Sequence, residues 1–329
     1  MEGISDMTTK SESEGKAKQP SASKTPGGSA WSSIKLVLQP RMRELRFSLH
    51  LMSKSVTSIA GMILLAVLVF VAAFPFLLAE PVPRADPYII PQDFDMPIPQ
   101  APGTHGFLLG SGDNGRDIFY GLMWGARISM AFAIQVVGIS LVIGTIFGLV
   151  SGYKGGVIDE IMMRITDIFL SIPSLILVMA IAAVLERNLT STKFALIAIW
   201  WSGYTRLVRG QVLSTRENTY IDAARAAGSG EMKIMFRHIL PNSWTPIIVQ
   251  GTMDMGTVVL VLAGLGYLGL GAPFGYAEWG RMVQEGQDYF VTGYWWMTVF
   301  PGLAILIFVL AFNLMGDGLR DIFDPKMRR

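Results

Sequence analysis

The chain has 329 residues, of which 51% are hydrophobic and only 16% are charged, and its mean hydropathy is +0.44. A soluble domain of average composition is less apolar, so the chain is predicted to lie in a membrane. A net charge of +2 gives no indication of a nucleic-acid partner, and the lack of cysteine excludes disulfides, thiolate metal sites and a cysteine nucleophile.

The N-terminal stretch is rich in Ser, Lys, Gly and Pro and shows no apolar core of a cleaved signal peptide. We expect residues 1–40 to form a disordered cytoplasmic tail. Residues 41–80 should then contain an N-terminal helix and the first membrane span.

Six segments reach or nearly reach the length of about 20 apolar residues that a helix needs to cross a bilayer. The fourth is the weakest, because Arg206 and Arg209 follow a short apolar run, so we expect it to leave the membrane as a continuing helix. The predicted spans are 59–79, 128–150, 165–185, 194–208, 247–270 and 296–314.

Positive charges near spans favour the cytoplasmic side of a membrane. With the N-terminus inside, about 21 Lys and Arg residues fall in inside segments and about 6 in outside loops; without the tail the ratio is still about 12 to 6. Both termini and the segment 219–242 are therefore predicted to be cytoplasmic, and 317–329 to be a cytoplasmic tail. The Pro-rich, acidic loop 81–124 is predicted to be external.

Few polar side chains interrupt the predicted spans: they are Gln135, Asp167, Asp254 and Asn313. An intramembrane carboxylate is costly unless it is paired or in contact with water, which makes it a functional candidate. Both aspartates lie near the predicted cytoplasmic boundary, however, so snorkelling and helix-end contacts are the favoured explanation. The scarcity of such groups near the midplane counts against a proton-driven transporter.

The sequence was searched for two nucleotide-binding motifs, the dinucleotide-binding glycine motif and the Walker motif. Gly264, Gly266 and Gly269 have G-x-G-x-x-G spacing, but they end a predicted span rather than follow a strand, so close helix packing is the preferred explanation. No Walker sequence G-x-x-x-x-G-K-[ST] occurs. The chain is therefore not expected to bind or hydrolyse ATP through a P-loop of its own.

The stretch 108–129 is rich in Gly and Asp, and Asp113, Asn114 and Asp117 could supply oxygen ligands. It lacks the alternating positions and the final Glu of an EF-hand, so an external turn leading into a span is preferred. The histidines are isolated in sequence and predict no metal cluster. No hydroxyl, base and acid constellation suggests a membrane-embedded enzyme.

The segment 219–242, TYIDAARAAGSGEMKIMFRHILPN, is polar although spans flank it. Good helix formers precede Gly228 and Gly230, which allow a reversal, and 231–240 can form a second short helix that Pro241 separates from the next span. Two interpretations are open: an amphipathic helix on the lipid surface, or a helix that enters another protein's groove. Helical spacing places Tyr220, Ala223, Ala224 and Ala227 on one face, and Met232, Met235, Phe236 and Ile239 on another.

The same segment resembles the E-A-A-x3-G-x9-I-x-L-P coupling motif of ABC importer permeases. Asp222 stands in place of Glu, and His238 stands where the general consensus has Ile, although RHILPN is similar to the peptide branch. Further likeness lies in LGSGDNGRDIFYGLMWGARIS, in YLGLGAPFGYAEWGRMVQEG and in FPGLAILIFVLAFNLMGDGLRDIFDPKMR. Over 41–329 the chain is similar to the C-type permease group of dipeptide and oligopeptide importers (DppC/OppC).

The resemblance implies an all-α membrane fold with six transmembrane helices, the type I importer (MetI-like) domain, over 125–316. It implies a homologous B-type permease as partner, two cytoplasmic ATPase subunits that bind ATP and Mg, an external solute-binding protein, and no cofactor on this chain. The residues implied to contact the ATPases, or to shape that contact, are Tyr220, Asp222, Ala223, Ala224, Ala227, Gly228, Leu240 and Pro241.

The substrate class implied by the resemblance is peptide, with oligosaccharides or nickel complexes as alternatives for the same machinery. A secondary transporter or a channel is the alternative from another class. The loop 80–104 is expected to contact the binding protein or the partner permease, and the role of His238, packing or capping the helix end, is left open.

Overall fold

The computed structural model describes residues 56–96 and 98–323. In this part of the chain the secondary structure is helical, with isolated bridges and no named strand, which confirms the predicted all-α fold. The helices are α1 (Val56–Ala73), α2 (Pro75–Leu78), a 3-10 turn (Asp113–Gly115), α3 (Ile118–Lys154), α4 (Gly156–Ser171), α5 (Ser174–Val184), α6 (Leu189–Arg216), α7 (Thr219–Ala226), α8 (Glu231–Lys233), a π-helix (Ile234–Ile239), α9 (Leu240–Tyr267), α10 (Trp279–Phe290) and α11 (Trp296–Phe323).

Some predictions concern residues that the structure does not describe. The tail 1–40, the predicted N-terminal helix up to residue 55, His50, and residues 324–329 of the C-terminal tail lie outside the described residues.

Each predicted span corresponds to a helical unit, but not all six meet the length and apolarity that a bilayer requires. Among the described residues, α1, α3, the continuous helix Glu231–Tyr267 and α11 do so, and the bent pair α4 and α5 raises the number to five if it forms one span. The fourth predicted span, α6, is too polar to qualify. As predicted, it continues well past Arg209, to Arg216.

The third predicted span is wrong as a single helix. It breaks at Ile172–Pro173, and α4 meets α5 at 86°. Pro173 lacks a backbone N–H and disfavours helical geometry in the preceding residue, which explains why α4 ends at Ser171.

The long helix α3 packs closely along α6 because its facing positions are small. A Cβ at Gly148 would lie 2.6 Å from the Thr205 carbonyl oxygen, and one at Gly152 would lie 2.9 Å from the Val212 Cβ. Such contacts let two helix backbones approach, as small residues commonly do in membrane bundles. This packing holds the polar helix α6 inside the bundle.

Within the stretch 81–124 that is predicted to be an external loop, α3 already begins at Ile118. Part of the loop is fixed to the chain segment before α10: the Ile90 amide donates to the Gly275 carbonyl at 2.9 Å, and the Ala277 amide donates to the Tyr88 carbonyl at 2.7 Å. Ile90 itself is buried. The loop is therefore built into the bundle along one edge.

Helix α10 was not predicted, and its start is set by a buried acid. The Glu278 carboxylate caps the helix by accepting from the Gly280 and Arg281 amides, each at 2.8 Å. A Cβ at Gly266 would lie 3.0 Å from the Arg281 amide nitrogen, so α9 and α10 are in close contact there. The prediction that the G-x-G-x-x-G glycines serve packing is thus confirmed for Gly266.

Candidate functional site

The segment 219–242 folds as predicted in its first half. Helix α7 ends at Ala226, and Gly228 reverses the chain with a φ of +74°. The Gly228 amide donates to the Arg225 carbonyl at 2.9 Å, and the Ser229 amide donates to the Ala224 carbonyl at 3.1 Å. A helix end of this kind favours glycine, because a left-handed φ is unfavourable with a β-carbon.

One side chain of α7 anchors the segment to the bundle. Ile221, which was not singled out from the sequence, is fully buried, and Ala224 packs at the edge of the same apolar cluster. Residues of α3, α6, the π-helix and α9 meet there, so α7 is packed against three long helices. The buried members of the cluster are Leu149, Val208, Val212, Ile221, Ile234, Met235, Ile239 and Ile247.

The opposite side of α7 and of the turn is exposed. Tyr220, Asp222, Ala223, Ala227 and Gly228 all lie at the surface. The predicted face of small residues is therefore an outward face of this chain. It offers a low, accessible ridge that a partner could cover, whereas the inward face depends on Ile221.

The second half of the segment corrects the prediction. Residues 231–240 are not a separate helix: they run through the π-helix directly into α9, and Pro241 lies just after the π-helix, in the first turn of α9. The predicted apolar face also divides. Met235 and Ile239 are buried, whereas Met232 and Phe236 are exposed. Leu240 is partly buried and Pro241 is exposed.

His238 lies in the π-helix and is partly buried. Its carbonyl accepts a hydrogen bond from the Asn242 side-chain amide at 2.6 Å. A π-helix places an extra residue in the turn, which rotates the positions that follow it relative to those of a regular α-helix.

Ion pairs connect the same end of the bundle. Arg209 of α6 binds Asp159 of α4 through two hydrogen bonds, each of 2.6 Å. Arg216 donates to the Gly152 carbonyl at 2.9 Å, and Lys154 pairs with Glu231. Because the Asp159 pair is bidentate and partly buried, it holds α4 against α6 more firmly than an exposed pair would.

The two aspartates of the predicted spans have different surroundings. Asp167 pairs with Arg206 in the last turns of α4, which agrees with a structural role. Asp254 does not make helix-end contacts, so the expectation for it is wrong. It lies half-way along α9 and lines a cavity of about 580 Å³.

The Gly- and Asp-rich stretch forms the turn into α3, as predicted. Asp117 caps that helix, with its Oδ1 accepting from the Phe119 amide at 2.8 Å, while Asp113 and Asn114 lie in the 3-10 turn before it. Within residues 56–96 and 98–323, no group of three or more His, Asp or Glu side chains is placed to hold a metal ion.

A helical membrane body that carries a short surface helix, joined through one buried anchor to three long helices, has the architecture of a transport permease. The chain belongs to the family of binding-protein-dependent transport system inner membrane components, the permease subunits of ABC importers, whose model matches residues 144–329. The family resemblance found in the sequence is thereby confirmed.

Several curated relatives cover most of the chain. It is 43% identical to a probable D,D-dipeptide transport system permease protein of Escherichia coli over 72% of this chain and 79% of that protein. It is 40% identical to a dipeptide transport system permease protein of Alkalihalophilus pseudofirmus over 84% and 88% of the two chains. A solved inward-facing structure of the MetNI methionine ABC transporter aligns over 62% of this chain and 98% of that chain, with 22% identity and a TM-score of 0.47.

Proposed function

We propose that this chain forms half of the translocation pathway of a peptide importer. The observation that carries the proposal is the segment 219–242, whose outer face is open to a partner and whose inner face is anchored by Ile221 to the long helices. Similarity to permeases named for dipeptide and oligopeptide transport supports peptide as the substrate class.

The other half of the pathway is assigned to a homologous B-type permease, and the energy source to two separate ATPase subunits that bind ATP and Mg. Tyr220, Asp222, Ala223, Ala227 and Gly228 contact an ATPase in this proposal. Ala224, Leu240 and Pro241 shape the base of the same segment. An external solute-binding protein delivers the ligand, and both termini of this chain are cytoplasmic.

The experiment is peptide uptake into proteoliposomes that contain the assembled complex. Uptake should require both the ATPase subunits and the binding protein, and it should stop when the catalytic Walker residue of the ATPases is changed. Uptake without ATPase subunits would indicate a secondary transporter or channel and would refute the proposal. If oligosaccharides or nickel complexes were transported in place of peptides, the proposal of an ATP-driven importer would stand and the proposed peptide substrate would be wrong.

A further inference from the structure

A cavity of about 580 Å³ lies beside the break between α4 and α5. It is an open cavity lined by that break, by α6 and by the middle of α9, where Asp254 contributes the one carboxylate of its lining. No Lys, Arg or His contributes to this lining. The lining residues are Phe169, Leu170, Ser171, Ile172, Pro173, Ser174, Ile199, Trp200, Ser202, Gly203, Tyr204, Leu207, Gln250 and Asp254.

The backbone at the break adds acceptors to the cavity. Pro173 has no N–H, so the Phe169 carbonyl four residues earlier has no helical donor. The C-terminal end of α4 also carries the partial negative charge of a helix dipole. Non-helical backbone within membrane helices is tolerated where it lines a cavity, and broken helices form the ligand sites of many transporters.

The side chains point to the same kind of ligand. Asp254 accepts a hydrogen bond from the Gln250 side-chain amide at 2.9 Å but has no cationic partner in the cavity lining. Tyr204 is 1% exposed, and its hydroxyl lacks a hydrogen bond of ordinary geometry, although Asp254 is close enough to interact with it electrostatically. Asp254 therefore has polar neighbours but no counter-ion in the lining, and a membrane carboxylate without a counter-ion is costly.

We propose that this cavity binds an ammonium group, the protonated amino terminus of a peptide in transit, with Asp254 as its counter-ion. The Tyr204 hydroxyl and the carbonyls at the α4 end supply the other acceptors. This inference rests on the proposed peptide transport, and it assigns to the permease a direct role in selecting peptides that have a free amino terminus.

The test measures binding of tri-alanine and of N-acetyl-tri-alanine to the complete transporter in lipid nanodiscs, without the binding protein, by calorimetry. Wild type should bind tri-alanine about ten- to a hundredfold more tightly than the acetylated peptide, because acetylation removes the charge. Asp254→Asn should remove that preference, and Asp254→Glu should keep most of it. Tyr204→Phe should weaken binding of tri-alanine severalfold.

Asp167→Asn is the matched control, because Asp167 lies on the adjoining helix and is already paired with Arg206. It should keep the preference for the free amino terminus. ATP hydrolysis by the Asp254→Asn complex shows that the variant has assembled; if it has not, the Glu and Phe variants decide the question.

Equal binding of the two peptides by wild type, or an unchanged preference in Asp254→Asn, would overturn the inference and leave ATP-driven peptide uptake intact. If the wild-type complex fails to couple ATP hydrolysis to peptide uptake, the proposed function fails first, and this inference falls with it.

Discussion

Gly228 lies at the reversal after α7 with open space around it: a β-carbon there would meet no atom within 4 Å. Aspartate tolerates a positive φ better than most residues, so Gly228→Asp should leave the fold of this chain intact. A carboxylate on the outward face should nevertheless obstruct a partner that packs closely against it.

We therefore expect Gly228→Asp to lower ATP-driven uptake at least tenfold while the complex still assembles and hydrolyses ATP. The measurement is the ratio of peptide transported to ATP hydrolysed. Gly228→Asn, which has the same shape without the charge, should lose less. Normal coupling in the aspartate variant would show that this turn does not contact an ATPase.

The residues of the segment were predictable to different degrees. The position of Gly228 followed from turn chemistry, because glycine in a polar helical stretch marks a helix end. Ile221 was missed because the i, i+3, i+4 pattern of alanines suggested the opposite face; the available clue was that Ile221 is the one large aliphatic residue of α7. Asp254 was misjudged because sequence distance from a predicted boundary does not show what surrounds a side chain.

At the scale of elements, the contact between α3 and α6 depends on glycines that have no substitute. In Gly148→Ala the new β-carbon would lie 2.6 Å from the Thr205 carbonyl oxygen and 2.7 Å from the Val208 Cβ. Backbone cannot yield as a side-chain tip can, so we expect a loss of about 1–3 kcal/mol. Thermal unfolding of the purified complex is the measurement.

Gly138→Ala is the control on the same helix, because its β-carbon would meet no atom within 4 Å. Removing a glycine from a helix interior should leave stability unchanged or raise it by up to about 1 kcal/mol. Similar losses in both variants would mean that the two helices do not pack at Gly148.

The cap of α10 is a titratable group that lies outside the predicted spans. The Glu278 side chain is almost fully buried, so the protonation state of its carboxyl group affects the stability of the fold. Burial raises its pKa from 4.5 to about 7, against the lowering effect of the Gly280 and Arg281 amides. Because the folded state binds this proton more tightly than the unfolded state, the protonated carboxyl group stabilises the fold. This contribution is complete below about pH 4.5 and is lost as pH rises through about 7.

The chain should therefore unfold more easily at pH 8 than at pH 5, by on the order of 2–3 kcal/mol for this group. Glu278→Gln should flatten the dependence and match the wild type most closely at low pH. Melting temperatures of the two proteins across this range provide the measurement. An equally steep dependence in the Gln variant would assign the effect to other groups.

Helix positions, like the surroundings of single residues, could be predicted from the sequence only in part. Apolar runs located the long helices, because hydrophobic length is a property of the sequence alone. The break at Pro173 was missed although the proline was visible, since proline can also kink a continuous membrane helix. The helix α10 was missed because its residues are polar and its stability comes from Trp279 and Met282, buried against other elements.

At the scale of the whole molecule, composition and charge placement indicated a membrane protein with a polar segment on one side. The sequence motifs indicated the family, the permeases of ABC importers. The ion pairs Arg209–Asp159 and Lys154–Glu231 and the segment 219–242 lie at one end of the bundle. The loop from residue 80 to Asp117 and the helix α10 come from the connections between spans that were predicted to be external. The surface of this loop is therefore the place to seek the remaining partners.

The loop has a buried side, which includes Ile90, and an exposed side, which includes Phe94 and Ile98, and substitutions can test the exposed side alone. Ile90 is buried and its backbone is bonded to Gly275, so a deletion would damage the fold of this chain as well as any interface. Phe94 and Ile98, in contrast, are 74% and 59% exposed. Large apolar side chains exposed together commonly mark an interaction surface.

The double substitution Phe94→Ser and Ile98→Ser should lower uptake severalfold without changing membrane insertion or the melting temperature, because it removes apolar contact from a partner and none from the core. Loss of ATPase stimulation by the binding protein would place the contact in ligand delivery, and loss of the second permease on purification would place it in assembly. Leu108→Ser, at a residue of the same loop that is 64% exposed, tests whether the contact extends beyond Phe94 and Ile98. Normal stimulation and normal assembly in the double variant would show that this loop surface contacts neither partner, since an interface that buries two large apolar side chains cannot lose both without a measurable loss of affinity.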